Sequence, residues 1–192
     1  MSNGATLRIM RTILSLIAAG LALALPTAAR AELPAGAKAP NFTARGALGG
    51  KLFLVNLAQA LKKGPVVLYF YPKAFTQVCT LDAHAFAESS ADFSAAGATV
   101  IGLSNDDFST LQRFSTEECR DKFAVASATP AVVQAYDVDL IHNGKSTGLT
   151  KRTSYVIGQD GLIKLVHSDM DYKDHVRTTL AAVQAMRAKK KA

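Results

Sequence analysis

The sequence of 192 residues contains few of the residues that build metal or redox centres. Its only two cysteines, Cys79 and Cys119, do not form a Cys-x-x-Cys pair, and its four histidines are scattered. Structural zinc and haem sites need clustered cysteines and histidines, so we predict no bound metal. The missing Cys-x-x-Cys pair also argues against a protein that exchanges disulfides through two neighbouring thiols.

Motifs for phosphate binding are also missing. No Gly-x-Gly-x-x-Gly follows a predicted strand and no Gly-x-x-x-x-Gly-Lys-Ser/Thr occurs, so we predict no nucleotide site and no organic cofactor. The basic end of the chain, at Arg187 and Lys189–Lys191, has no interleaved aromatic residues on which bases could stack. We expect a solvated helix tail there and no nucleic-acid partner.

The chain lacks an apolar run long enough for a permanent membrane anchor. The apolar segment from Ile13 to Leu25 has 13 residues, whereas a spanning helix needs about 20. It follows Arg8 and Arg11 and precedes the small-residue site Ala29-Arg30-Ala31, which is the order found in export signals. We predict a signal peptide over residues 1–31, cleavage before Glu32, and a periplasmic or secreted protein without a stable membrane anchor.

The predicted mature chain, residues 32–192, is one domain. The signal removes three arginines and no acids, so 19 basic and 15 acidic residues remain, with a net charge of +4. A chain of this length can form a full core without disulfide staples. The size of the fold therefore does not require the two cysteines, although an exported protein can pair them in a structural disulfide.

The hydrophobic pattern predicts an α/β order. Val66–Tyr71 is continuously apolar and predicts a central strand, and the apolar spacing from Cys79 to Gly97 predicts a helix. Residues 32–50 predict an extended arm that Phe42 anchors in the core. The other predicted elements are, in order, strand Ala98–Leu103, helix Asp106–Glu118, strand Phe123–Ala126, helix Pro130–Tyr136, a hairpin of Ser154–Ile157 and Leu162–Val166 around Gln159-Asp160-Gly161, and a last helix from about Tyr172. This order predicts a thioredoxin-like α/β sandwich, in which a central mixed β-sheet is flanked by helices.

Cys79 is predicted to lie in the first turn of a helix, directly after the central strand. A helix start carries unpaired N–H groups and partial positive charge, so it stabilises an anion such as a thiolate. If Thr76 is the N-cap, its oxygen accepts from the backbone N–H of Cys79 and its hydroxyl proton stays free. Pro72 ends the strand and stiffens the approach. The alternative is a buried, inert cysteine behind an ordinary cap.

Pro72, Thr76 and Cys79 match the Pro-x-x-x-Thr/Ser-x-x-Cys signature, and the chain thereby resembles the peroxiredoxins. Gly36–Phe42 resembles the family's Gly-x-x-Ala-Pro-x-Phe, and Arg152–Ile157 resembles the Arg-x-Thr-Phe strand of the bacterioferritin comigratory protein class. The chain departs from that class at three places, which are Gln77-Val78 for Pro-Gly, Asp82 for glutamate and Gly158 for aspartate.

The resemblance implies a thiol peroxidase without metal or organic cofactor, in which Cys79 attacks a hydroperoxide and becomes a sulfenic acid. Lowering the pKa of a thiol from about 8.5 to about 6.5 raises the thiolate fraction at pH 7 about 25-fold, but it lowers nucleophilicity roughly eightfold. The net gain is only about threefold, so the site must also stabilise the departing oxygen. In the family, residues matching Thr76 and Arg152 do so.

The resemblance also gives Cys119 a role, because some members of the class carry a resolving cysteine in this region. Such a thiol traps the sulfenic acid as a disulfide, which a thioredoxin-like protein then reduces. A mechanism with one cysteine and a permanent Cys79–Cys119 bridge remain open. So do two other functions: a thiol-disulfide exchange protein, and a binding module with a structural disulfide. We expect a monomer or a homodimer.

Overall fold

The computed structural model describes residues 32–191. The predicted signal peptide lies outside the described residues. The helices and strands, in chain order, are β1 (Thr43–Leu48), β2 (Lys51–Asn56), α1 (Leu57–Lys63), β3 (Val66–Phe70), α2 (Gln77–Glu88), α3 (Ser90–Ala95), β4 (Thr99–Ser104), α4 (Phe108–Glu117), β5 (Ala124–Ser127), α5 (Pro130–Ala135), β6 (Asp139–His142), β7 (Lys145–Thr150), β8 (Thr153–Ile157), β9 (Ile163–Ser168) and α6 (His175–Lys191).

Within this range the main sheet has seven strands in the order β2-β1-β5-β4-β3-β8-β9. Strand β3 lies inside the sheet, parallel to β4 and antiparallel to β8, and all five of its residues are buried. Strand β4 is also parallel to β5, whereas β1–β2, β1–β5 and β8–β9 are antiparallel pairs. Strands β6 and β7 form a separate small hairpin. The predicted mixed sheet and its central strand are confirmed.

Alternate residues of β3 enter two apolar cores, one on each face of the sheet. Val66, Leu68 and Phe70 belong to the core that also holds residues of α1 and α5, whereas Val67 and Tyr69 belong to the core packed against α2, α3, α4 and α6. Side chains of successive strand residues point to opposite faces, so one apolar run serves both layers. The predicted thioredoxin-like sandwich is therefore confirmed.

The extended arm predicted over residues 32–50 is only partly right. Residues 43–48 form strand β1, and the following β2 and α1 were not predicted. The sequence of β1, Thr-Ala-Arg-Gly-Ala-Leu, has little intrinsic strand preference, so its pairing with β2 and β5 decides its conformation. At Gly46 a Cβ atom would lie 2.1 Å from the Val125 carbonyl oxygen, and the absence of a side chain permits this close pairing. Phe42 is buried, as predicted.

The single helix predicted from Cys79 to Gly97 is two helices, α2 and α3, which are interrupted at Ser89. Ala83, Phe86 and Phe93 of the predicted apolar face are buried in the same core, so the face continues across the interruption. The last helix begins at His175 rather than at about Tyr172. Over residues 32–191, no helix is both long and apolar enough to cross a membrane.

Candidate active site

The loop between β3 and α2, residues 71–76, is held by groups from neighbouring strands. The Tyr71 N–H donates to the Leu103 carbonyl at 3.0 Å, and the Thr150 hydroxyl donates to the Tyr71 carbonyl at 2.7 Å. Asp106, just after β4, accepts from the Ala74 N–H at 2.7 Å. Because β3 and β4 are parallel, their carboxyl ends lie together and supply both the loop and its anchor. The half-buried Pro72 lies in this loop, and Cys79 falls in the first turn of α2, as predicted.

Thr76 has the backbone conformation of an N-cap, but its side chain does not cap the helix. Its hydroxyl instead donates to the Lys73 carbonyl at 3.0 Å. The prediction that this oxygen accepts from the Cys79 N–H, leaving the hydroxyl proton free, is therefore wrong. Phe75 adopts a positive φ of 62°, and this tight turn brings the Lys73 carbonyl within reach of the hydroxyl. Thr76 is exposed to solvent, directly before the helix that carries Cys79.

Arg152 contacts the sulfur of Cys79 although 72 residues separate them in the chain. Its Nη2 donates to Cys79 Sγ at 3.2 Å, and each residue is only 2% exposed. Arg152 lies one residue before β8, and because β8 pairs with β3, it is close to the start of α2. The contact therefore places a permanently charged donor, which can stabilise negative charge, directly beside the sulfur.

Asp82 is the site residue whose contact the sequence analysis missed. Its Oδ2 lies 2.5 Å from Arg152 Nη1, and Arg152 Nε donates to the Met170 carbonyl at 3.2 Å. The guanidinium is thus fixed on three sides by Asp82, Met170 and Cys79. Asp82 follows Cys79 by three residues on one helix, so it shares the face of α2 that points to the sulfur, and this spacing could have revealed it.

The three charged or ionisable groups of the site influence one another. Burial raises the pKa of Asp82 to about 6 and outweighs the attraction of Arg152. For Arg152, burial acts to lower the pKa, but Asp82 and Cys79 outweigh it and raise the pKa. Asp82 is fully buried, and its Oδ1 has no hydrogen-bond partner within residues 32–191. One guanidinium therefore contacts both the carboxyl group of Asp82 and the sulfur of Cys79. When Asp82 is protonated, it no longer competes with the sulfur for the charge of Arg152.

Cys119 lies just after α4 and is completely buried; it and Cys79 are free thiols in the same apolar core. Burial, followed by the negative charges of Glu118 and Asp121, raises the pKa of Cys119 well above its ordinary value. In this conformation the thiol is protonated and therefore a poor nucleophile.

The segment around Cys119 combines backbone strain with contacts to α2. Arg120 and Asp121 both have positive φ values, 51° and 58°. Glu118 Oε2 lies 2.6 Å from His84 Nε2, and Arg120 Nη1 lies 3.2 Å from Glu88 Oε1. These two polar contacts join the helix that carries Cys79 to the segment that carries Cys119.

The part of the chain from residue 32 to residue 191 contains no group of three or more metal-ligating side chains that could hold an ion. His167 and His175 are neighbours, with ring centroids 4.5 Å apart, but His175 Nδ1 bonds Ser154 and its Nε2 bonds the Asp169 carbonyl.

A sequence profile of the AhpC/TSA family matches residues 35–166. The chain is 31% identical to a chloroplastic peroxiredoxin Q of Oryza sativa subsp. japonica over 176 residues, covering 84% of this chain and 78% of the relative. It is 32% identical to a putative peroxiredoxin bcp of Coxiella burnetii over 147 residues, covering 76% and 95%. The solved structure of peroxidoxin BcpB of Mycobacterium tuberculosis superposes with a TM-score of 0.71 at 28% identity, covering 80% of this chain and 98% of that one.

Replacing Asp82 by asparagine tests whether burial controls this carboxyl group. The pKa is about 6 in the folded protein and ordinarily 3.8, so the folded state binds more protons than the unfolded state between these values. The stability due to this proton is present below about pH 3.8 and is lost as the pH rises to about 6. Across this range the free energy of unfolding of the wild type should fall relative to that of Asp82→Asn, measured by urea unfolding.

Asp160→Asn is the control for this titration, because a hydrogen bond from Lys164 lowers the pKa of Asp160 below 3.8, outside the window. Its stability should run parallel to that of the wild type between about pH 4 and 6. If the wild type instead gains stability relative to Asp82→Asn as the pH rises, the attraction of Arg152 outweighs burial and the assignment is wrong.

Proposed function

The chain belongs to the AhpC/TSA family and is a thiol-dependent peroxidase of the peroxiredoxin type, and from this premise we propose that Cys79 is the sulfur that reduces the peroxide. The observation that carries the proposal is the 3.2 Å contact between Arg152 Nη2 and Cys79 Sγ in a buried site. It pairs the one cysteine at a helix start with a group that stabilises negative charge.

The reaction at Cys79 transfers one oxygen atom. The thiolate attacks the terminal oxygen of a hydroperoxide, so the S–O bond forms while the O–O bond breaks and its electron pair leaves with the distal oxygen. That oxygen takes a proton and departs as water or an alcohol. The sulfur is oxidised by two electrons to a sulfenic acid, and the peroxide is reduced by two electrons.

Arg152 acts on this step both before the attack and during O–O cleavage. Before the reaction it stabilises the thiolate, and during O–O cleavage its fixed N–H groups face the charge that develops on the leaving oxygen. Its three contacts keep the guanidinium in place, so little reorganisation is needed when the charge moves. Because Arg152 is 2% exposed, water screens this interaction weakly.

Thr76 and Pro72, between β3 and α2, are the residues that we assign to placing the peroxide. The Thr76 hydroxyl uses its proton on the Lys73 carbonyl, so toward the substrate it acts as an acceptor for the O–H of the hydroperoxide, which aligns the peroxide with the sulfur. Pro72 fixes the backbone between β3 and the loop that carries Thr76. The proposed substrates are hydrogen peroxide and organic hydroperoxides.

Single substitutions test these roles. With one equivalent of hydrogen peroxide, the reduced protein should lose its free thiols within seconds, and Cys79→Ser should abolish the loss. Arg152→Ala should slow it about 10²- to 10³-fold, the size expected when a charge-stabilising donor is removed. Stopped-flow measurement of thiol oxidation gives these rates. The matched control is Arg45→Ala, because Arg45 is an exposed arginine on β1; a normal rate in Arg152→Ala would remove Arg152 from the mechanism.

We propose further that Cys119 resolves the sulfenic acid. The two thiols share one apolar core. Arg120 and Asp121, directly after Cys119, both have left-handed backbone conformations, so this segment is strained. Burial keeps Cys119 protonated, so resolution needs local opening that exposes this thiol to water. Its thiolate then attacks the sulfenic sulfur: an S–S bond forms, the S–O bond breaks, and hydroxide leaves and takes a proton. The contacts to His84 and Glu88 are lost as the segment opens.

Cys119→Ser separates resolution from peroxide attack. The first oxidation of Cys79 should keep its wild-type rate, whereas turnover with a thioredoxin-like dithiol protein should fall and sulfinic acid should accumulate at lower peroxide concentrations, as read by mass spectrometry. The disulfide itself should appear in the oxidised wild type as a Cys79–Cys119 cross-linked peptide. Normal cycling of Cys119→Ser would favour the mechanism with one cysteine.

The proposed site of action is outside the cytoplasm, since residues 1–31 have the composition of an export signal. Expression of the full chain in a Gram-negative host, followed by N-terminal sequencing of the periplasmic protein, should give Glu32 as the first residue. A control with Leu14→Arg and Leu16→Arg in the apolar segment should stay in the cytoplasm uncleaved. Cytoplasmic recovery of the wild type with its N-terminus intact would reject export.

A further inference from the structure

One of the three contacts that fix Arg152 is made by a surface loop. Arg152 Nε donates to the carbonyl of Met170, in the loop between β9 and α6. The Met170 side chain is 49% exposed and packs into neither core, so it does not hold this carbonyl in place. Something else must fix the loop if the carbonyl is to orient a guanidinium.

A chain of hydrogen bonds through His175 ties this loop back to β8. His175, the first residue of α6, is completely buried. Its Nε2 lies 2.9 Å from the Asp169 carbonyl, and its Nδ1 lies 2.8 Å from Ser154 Oγ on β8. The Asp169 N–H in turn donates to the Arg152 carbonyl at 3.2 Å. The backbone N–H and the carbonyl of Asp169, the residue directly before Met170, are therefore both hydrogen-bonded.

The chemistry of these partners determines where the proton of His175 lies. A carbonyl oxygen can only accept, so the Asp169 carbonyl requires a proton on Nε2. Burial is the largest of the effects that lower the pKa of His175, to about 4, so the ring is neutral at pH 7 and carries one proton. Nδ1 must then accept, and the Ser154 hydroxyl donates to it. This arrangement leaves both ring nitrogens satisfied.

We propose that His175 is a positioning residue for the peroxidase reaction, which holds the Met170 carbonyl against Arg152 through its Nε2 bond to Asp169. This inference rests on the proposed role of Arg152. The Asp169 peptide links the histidine to the arginine, and Ser154, on strand β8 two residues after Arg152, anchors the histidine. Loss of the Nε2 bond frees the loop and lets the guanidinium turn away from the sulfur.

Two amide substitutions distinguish positioning from simple packing. Glutamine places its amide N–H near the position of Nε2 and keeps the bond to Asp169, whereas asparagine places its amide near Nδ1 and loses that bond. Both remove the ring that packs against His167, 4.5 Å away. The rate of Cys79 oxidation by hydrogen peroxide should fall about tenfold in His175→Asn, because small displacements of a charge-stabilising group are costly, and should stay within about twofold of wild type in His175→Gln.

The same substitutions in Arg152→Ala complete a double-mutant cycle. If His175 acts through Arg152, His175→Asn should change the rate less than about twofold when the guanidinium is absent. An equal loss in both backgrounds, or equal losses in the asparagine and glutamine variants, would overturn the positioning role. If His175→Asn does not fold, Ser154→Ala replaces it: a loss of a fewfold that disappears in Arg152→Ala supports the inference, and no loss rejects it.

Failure of this inference differs from failure of the proposed function. A normal oxidation rate in Arg152→Ala alone rejects the role of Arg152 itself. A slow rate in Arg152→Ala together with a normal rate in His175→Asn rejects only the positioning by His175.

Discussion

The buried guanidinium of Arg152 is the interaction on which the site depends. It contacts the sulfur of Cys79 and the carboxyl group of Asp82, both on helix α2, and the carbonyl of Met170, in the loop between β9 and α6. A buried charge without partners would be strongly destabilising. Folding therefore requires the contacts that also orient the arginine toward the sulfur, so the stability of the core and the geometry of the site rest on the same bonds.

The two cysteines have opposite environments although they share one apolar core. Cys79 lies at a helix start beside a guanidinium, whereas burial and the negative charges of Glu118 and Asp121 raise the pKa of Cys119 and keep it neutral. This conformation thus suits the proposed attack of Cys79 on peroxide, and it keeps the neutral Cys119 thiol from reacting at once with the sulfenic acid that would form. A second conformation, in which the segment around Cys119 opens, is needed for the proposed disulfide.

Sequence reasoning predicted the parts of the fold in which local pattern and tertiary environment agree. The apolar run of β3 and the turn of the β8–β9 hairpin have unambiguous patterns, and both were placed correctly. Strand β1 was missed because its small and polar residues show no strand preference and only its neighbours in the sheet order it. The Thr76 cap was wrong because a positive φ at Phe75, invisible in the sequence, redirects the hydroxyl to Lys73.

The sequence by itself determined the sandwich fold, the position of Cys79 at a helix start, and the motif that singles out Arg152, because strand and helix periodicities and short motifs are local properties. Only the tertiary structure decided which groups meet: the contact of Arg152 with Asp82, its support by the Met170 carbonyl and His175, and the burial of Cys119. Arg152 meets Met170 and Asp82 across 18 and 70 positions of the chain, which no local pattern reveals. The strength of the electrostatic interactions there also depends on how much water packing removes.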